Sequence, residues 1–218
     1  MIRKLIGTVV VSTLISVISI GCSNKNVENN KVYETINNKD INIESIKGVL
    51  KGKLPQDIEL KDNIEILDLD NDGKLECIVS YINKKENRPL RILILSMEND
   101  RWVFKNEIKN VGENFDKVLY KDITNDEKLE IIAGFKGGEN LSKGISIYKY
   151  EKGDIKEIFR DYYSNYLVKD VVSNGNLELI LMKKEDTGEI LAELYEYKNN
   201  EILKLKETHI KNYKETPF

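Results

Sequence analysis

The residues from Asp68 to Glu76, Asp-Leu-Asp-Asn-Asp-Gly-Lys-Leu-Glu, are the segment whose types and spacing point most directly to chemistry. Carboxylates stand at loop positions 1, 3, 5 and 9, with Gly73 at position 6. Ca²⁺ takes about six to eight hard oxygens at about 2.4 Å, and alternating acids around a tight glycine turn deliver several of them from one short loop. The loop therefore reads in two ways. It holds a structural cation, or it is a metal-free Asp/Asn/Gly turn whose carboxylates accept loop N–H groups. Catalysis at a bound metal is the weaker use, since all the acids would be spent on coordination.

Other chemistry finds less support. The single histidine, His209, lies in the polar final segment beside no Ser or Cys motif, and reads as solvated. Gly134, Gly137, Gly138 and Gly144 suggest a phosphate loop, but no Gly-Lys-Ser/Thr closes the run, so they read as a hairpin connection. With 37 acidic residues a pair suited to glycoside hydrolysis is available in principle, yet no spacing singles one out. Cys77 sits mid-strand among apolar neighbours and reads as a buried, inert thiol. Tyr162, Tyr163 and Tyr166 cluster and form a candidate binding surface, against the plainer reading that they pack within the sheets. The 34 basic residues do not outnumber the acids, and the net charge of −3 gives no electrostatic footprint for nucleic acid. Two cysteines cannot build a disulfide framework, while 40% hydrophobic content is enough for a core.

The elements that must position the loop repeat along the chain. IEILDLDNDGKLECIV, KVLYKDITNDEKLEIIAG and YLVKDVVSNGNLELILM align, with leading aspartates Asp68, Asp122 and Asp170 spaced 54 and 48 residues apart. The polar turns after Met97, Tyr150 and Tyr197 drift in step, at 53 and 47. Each unit predicts four strands; in the first these run roughly over 63–67, 75–82, 90–97 and 101–108. In the second strand Leu75, Cys77, Val79 and Tyr81 occupy one face and Ile78 and Ile82 the other, so both faces are covered. The expected fold is all-β: three four-stranded antiparallel propeller-like repeats, at about 62–110, 115–163 and 164–211, forming a partial or atypical β-propeller.

An EF-hand would need Glu at loop position 12, where Val79 stands, and helices on either side. A strand-loop-strand carrying Asp-x-Asp-x-Asp-Gly-x-x-Glu instead resembles the FG-GAP and VCBS repeats, the blade motif of integrin alpha-chain propellers and of many bacterial surface proteins. The resemblance covers about 62–211 and is specific in the first unit. It implies calcium ligands at Asp68, Asp70, Asp72, the Lys74 carbonyl and Glu76. The second unit has Asp122, Thr124, Asp126 and Glu127, and the third Asp170, Val172, Asn174 and Gly175. Both have lost acids, so tight Ca²⁺ is expected at neither. Asp68 and Glu76 nevertheless recur, as Asp122 and Asp170 and as Glu130 and Glu178, which points to a duty in the turn itself.

At the N-terminus Arg3 and Lys4 precede an uncharged apolar run from Leu5 to Gly21, an export signal too short for a comfortable membrane span. Ile18-Ser19-Ile20-Gly21-Cys22 resembles the lipobox of bacterial lipoproteins, which implies removal of residues 1–21 and lipidation of Cys22. Two acyl chains then give stable attachment, at about 0.8 kcal/mol per buried CH₂. Residues 22–40 are polar and Asn-rich and read as a tether with a reach of about 23 Å. Within 41–55 a short helix is expected, with Ile43, Ile46, Val49 and Leu50 on one face, Asn42 as cap and Pro55 as stop, weakened by Gly48 and Gly52. The repeat domain then occupies 56–218. The expectation is a lipid-anchored protein on the extracytoplasmic face of the cell membrane, a non-catalytic module binding an unidentified protein or glycan. The alternatives are a glycan-active envelope enzyme using surface carboxylates, or an accessory subunit of a membrane complex.

Overall fold

The computed structural model describes residues 43–54, 64–137 and 143–210. The export signal, Cys22, the tether, Asn42 and Pro55 lie outside these residues. Helix α1 spans Ile43–Leu50, and the first repeat follows as β1 (Ile64–Leu67), β2 (Glu76–Ile82), β3 (Leu90–Glu98) and β4 (Arg101–Asn110). The second is β5 (Asn114–Lys121), β6 (Glu130–Lys136), β7 (Lys143–Glu151) and β8 (Asp154–Tyr163). The third is β9 (Asn165–Lys169), β10 (Glu178–Lys184), β11 (Ile190–Lys198) and β12 (Glu201–Ile210). Each repeat is one antiparallel sheet with its strands in chain order, the meander a propeller blade uses. The all-β expectation holds, with the expected strands of the first repeat within two residues of those found.

The two-faced apolar pattern of β2 explains why it is central. Cys77, Val79 and Tyr81 share a cluster with Ile46 and Leu50 of α1 and with Leu93 and Leu95 of β3. Ile78, Ile92 and Ile94 point the other way, into a cluster with Ile131, Ala133, Tyr148 and Tyr150 of the second sheet. Burying Ile46 and Leu50 contributes about 1.5–3 kcal/mol each, which is what holds so short a helix. Gly52, with φ 82°, takes a left-handed turn just past the helix, where Lys53 and Leu54 donate back to the Leu50 carbonyl. The glycine that weakened the helix in sequence thus ends it in structure. The chain forms two compact units, one holding α1 and the first two sheets, the other built on the third sheet with the loop Asp122–Asp126. In the third sheet Ile180, Met182, Ala192 and Leu194 form their own cluster with Val171.

The polar turns of the sequence are two-residue hairpins. Asn99 and Asp100, Lys152 and Gly153, and Asn199 and Asn200 all have positive φ, the turn geometry that matches strand twist. The first and third repeats also share a bulge that no sequence landmark announced. Register shifts between Ile94 and Leu95 and between Leu194 and Tyr195 leave Lys105 and Leu205 as extra residues in β4 and β12.

Candidate metal centre

The loop joining β1 to β2 is wound around its own carboxylates. Asp68 accepts the N–H groups of Asp72 at 3.1 Å and of Gly73 at 2.9 Å. Asp170 does the same in the third repeat, accepting from Asn174 at 3.2 Å and Gly175 at 2.9 Å, and Asp122 accepts from Asp126 at 3.1 Å in the second. At the far end of the turn Glu76 Oε2 accepts the Leu69 N–H at 2.9 Å, and Glu178 Oε2 accepts the Val171 N–H at 2.8 Å. Those bonds form with or without neighbouring acids. The recurring Asp is therefore a turn-maker in every repeat, and the recurring Glu in the first and third.

What distinguishes the first loop is Asp70, whose counterparts are Thr124 and Val172. Its Oδ2 accepts the Lys152 N–H at 3.1 Å, from the β7–β8 turn of the second sheet. Its Oδ1 is buried and has no hydrogen-bond partner. Oxygens of Asp68, Asp70 and Glu76 all lie within 4.8 Å of one another. Two ligands about 2.4 Å from one Ca²⁺ are at most about 4.8 Å apart, so the three oxygens fit a single ion of that size. An anionic oxygen buried without a donor is costly, and a cation there would remove the cost. Asp68, Asp70 and Glu76 are thus a cluster that could hold a metal ion, with loop backbone and water left to complete its shell.

Two members of the set implied by the repeat resemblance, Asp72 and Lys74, also bond to each other within the turn. Asp72 accepts the Lys74 N–H at 2.8 Å and pairs with the Lys74 ammonium at 3.1 Å, bonds that hold its carboxyl below the usual range, chiefly through the backbone N–H. Asn174 makes the same backbone bond to Asn176 at 2.9 Å, so Asp72 acts first as a turn residue. Lys74 contributes its N–H and ammonium to that turn. The acid cluster is accordingly Asp68, Asp70 and Glu76.

Glu76 is 2% exposed, and burial, helped by the charges of Asp70 and Asp68, pushes its carboxyl up to about 7 against the bonds it accepts. Its Oε1 accepts the Ser96 hydroxyl at 2.9 Å, and Ser96 meets Tyr150 OH at 2.9 Å. The Leu129 N–H also donates to the Leu69 carbonyl at 2.8 Å. The loop is thus a seam between the first two sheets. Ser96 and Tyr150, its second layer, were not singled out from sequence; Tyr150 stood there only as the residue before a polar turn.

The tyrosine surface is corrected. Tyr163 and Tyr166, on either side of the bend at Ser164, are buried and meet edge-on at 4.9 Å between ring centroids. Tyr162 alone is exposed, at 53%, with the Lys183 ammonium 4.4 Å from its ring. Cys77 is fully buried and its thiol is pushed up to about 12 by desolvation, an inert core group as expected. His209 is half exposed, 3.4 Å from Glu185. Gly134 and Gly144 lie within the paired strands β6 and β7 rather than in the connection, and Gly138 lies outside the described residues.

No family model matches the chain, and no curated protein matches it. Among solved structures it is similar to the exotype rhamnogalacturonan lyase YesX, at 15% identity and a TM-score of 0.44, over 67% of this chain. The match spans 32% of that protein's length, and at this level it carries no argument about fold or activity here.

Proposed function

We propose that this chain is a lipid-anchored, non-catalytic binding module of the cell envelope, with Ca²⁺ as a structural ion in its first aspartate loop. Its anchor is Cys22, read from the lipobox-like sequence. The single observation that supports the ion is the buried, unpartnered Oδ1 of Asp70, the residue that clusters with Asp68 and Glu76 at the seam between the first two sheets. An ion there ties the β1–β2 loop to the Lys152 turn, because Asp70 reaches both. Its work is to stiffen the scaffold that presents a binding surface.

Palmitate labelling of wild type and Cys22→Ser tests the anchor; label that persists in the variant overturns it. Capture from envelope fractions is expected to recover one protein or glycan. Turnover of an envelope substrate that disappears on a single Asp or Glu substitution overturns the non-catalytic reading.

A further inference from the structure

Helix α1 spans only part of the length of the first-sheet face that receives it. A helix of 8 residues is about 12 Å long, whereas the 9 residues of β3 run about 30 Å. At the Tyr81 end of that face lies a hollow of about 190 Å³, with Leu93, Phe104 and Tyr81 among its walls. Lys53, just past the helix, holds its ammonium 3.8 Å from the centre of the Phe104 ring.

One wall of the hollow is a fixed charged group. The Arg91 side chain is 6% exposed and is held from three directions. Its Nε donates to the Arg88 carbonyl at 2.8 Å, Nη1 donates to Glu107 at 3.0 Å, and Nη2 lies 3.3 Å from Glu86. Tyr81 OH donates to the same Glu107 oxygen at 3.2 Å, and Lys109 pairs with the other at 3.2 Å.

The second repeat shows that a sheet of this kind forms without this arrangement. Arg91 pairs across the strands with Tyr81, and the corresponding pairs are Gly144 with Phe135 and Leu191 with Lys183. In the second repeat the place is filled, since a Cβ on Gly144 would lie 2.3 Å from the Phe135 ring. Burying an arginine is costly unless it is fully paired, and an apolar residue serves a sheet as well. Repeat one thus places a buried ion cluster where the second repeat packs Gly against Phe, while the third repeat has a different one, with Lys183 and Lys204 both paired to the buried Glu193.

We propose that this hollow binds a hydroxylated carboxylate, the chemistry of a single acidic sugar unit. The inference deepens the binding-module reading and rests on it. Arg91 and Lys109 are matched by Glu86 and Glu107, while Lys53 pairs with no carboxylate among the described residues, so its ammonium is free for an anion. The Glu86 carboxylate, half exposed, and the Asn83 amide add an acceptor and a donor at the rim. A hydroxyl both donates and accepts and so suits a rim of both kinds. Aromatic walls suit the C–H face of a sugar ring. The volume is below the range of about 300–1,000 Å³ for larger ligands, which limits the occupant to one small unit.

The test is calorimetric titration of the full chain in detergent with D-glucuronate, D-glucose and inorganic phosphate. Glucuronate is expected to saturate in the millimolar range, with the other two at least tenfold weaker. Lys53→Ala, a surface change, is expected to weaken glucuronate at least tenfold, and Arg91→Leu, which installs the residue of the third repeat, to abolish it. No saturable binding of glucuronate, equal binding of glucose or phosphate, or wild-type affinity in Lys53→Ala overturns the proposal. If glucuronate fails while an envelope partner is still captured, this site falls and the binding-module reading stands.

Discussion

Asp70→Asn separates the two duties of the first loop, because an amide keeps the shape of the carboxylate and loses its charge. The Asn oxygen still accepts the Lys152 N–H, and its NH₂ falls where the buried, unpartnered Oδ1 now lies, in the residue that clusters with Asp68 and Glu76. Without metal, two carboxylates about 4.8 Å apart repel by between about 1 and 3 kcal/mol, depending on how much water reaches them. Removing one charge is therefore expected to stabilise the calcium-free protein. With metal the sign reverses. An ion at about 100 times its Kd stabilises the folded state by about 2.7 kcal/mol, and at about 2–4 °C per kcal/mol that raises Tm by about 5–10 °C. Thermal melts of both proteins in chelator and in millimolar Ca²⁺ read the crossover. Wild type is expected to melt below Asp70→Asn in chelator and above it in calcium, with the variant moving by less than about 2 °C. The same rank order in both buffers refutes the reasoning and leaves the metal-free turn as the account of the loop.

Other consequences concern the scaffold. Leu50→Ala is expected to cost about 2–5 kcal/mol in urea unfolding, since Leu50 anchors α1 on the first sheet; a loss below about 1 kcal/mol contradicts the packing described. Gly144→Ala is expected to cost about 1–3 kcal/mol because its Cβ meets Phe135, and the double variant with Phe135→Leu should recover part of that; additive losses argue against the contact. Glu178 has its carboxyl raised by burial, so its folded value lies above its unfolded one. Its contribution to stability is full below the unfolded value and is lost as pH rises through the folded one. The melting advantage of Glu178→Gln over wild type should therefore widen from pH 4 to pH 7, and parallel profiles would contradict the raised value.

Much of this was legible because it rests on periodicity. Apolar residues on both faces of β2, and the Asp and turn landmarks moving together, specify covered sheets repeated three times. The helix was legible from Ile46, Val49 and Leu50, three residues on one face. The duty of Asp68 and Glu76 was visible in their recurrence where other acids had gone. What stayed hidden depends on directions that residue types do not carry. Asp72 looks like a ligand in sequence, and only the turn geometry shows that it also accepts from the N–H and ammonium of Lys74. The tyrosine cluster looks like a surface, but Tyr163 and Tyr166, on either side of the bend at Ser164, are both buried. Arg91 reads as an interruption of an apolar strand, and only the cross-strand register shows that Tyr81 and Glu107 enclose it. Gly144 reads as part of a connection, whereas it lies in β7 and makes room for the Phe135 ring.

The most direct test of the structural ion is calorimetric titration of the metal-stripped full chain with Ca²⁺, for wild type, Asp70→Asn and Asp170→Asn. One equivalent bound by wild type and by Asp170→Asn, and none by Asp70→Asn, is the predicted result. No calcium bound by wild type, or an equivalent retained in Asp70→Asn, would contradict it.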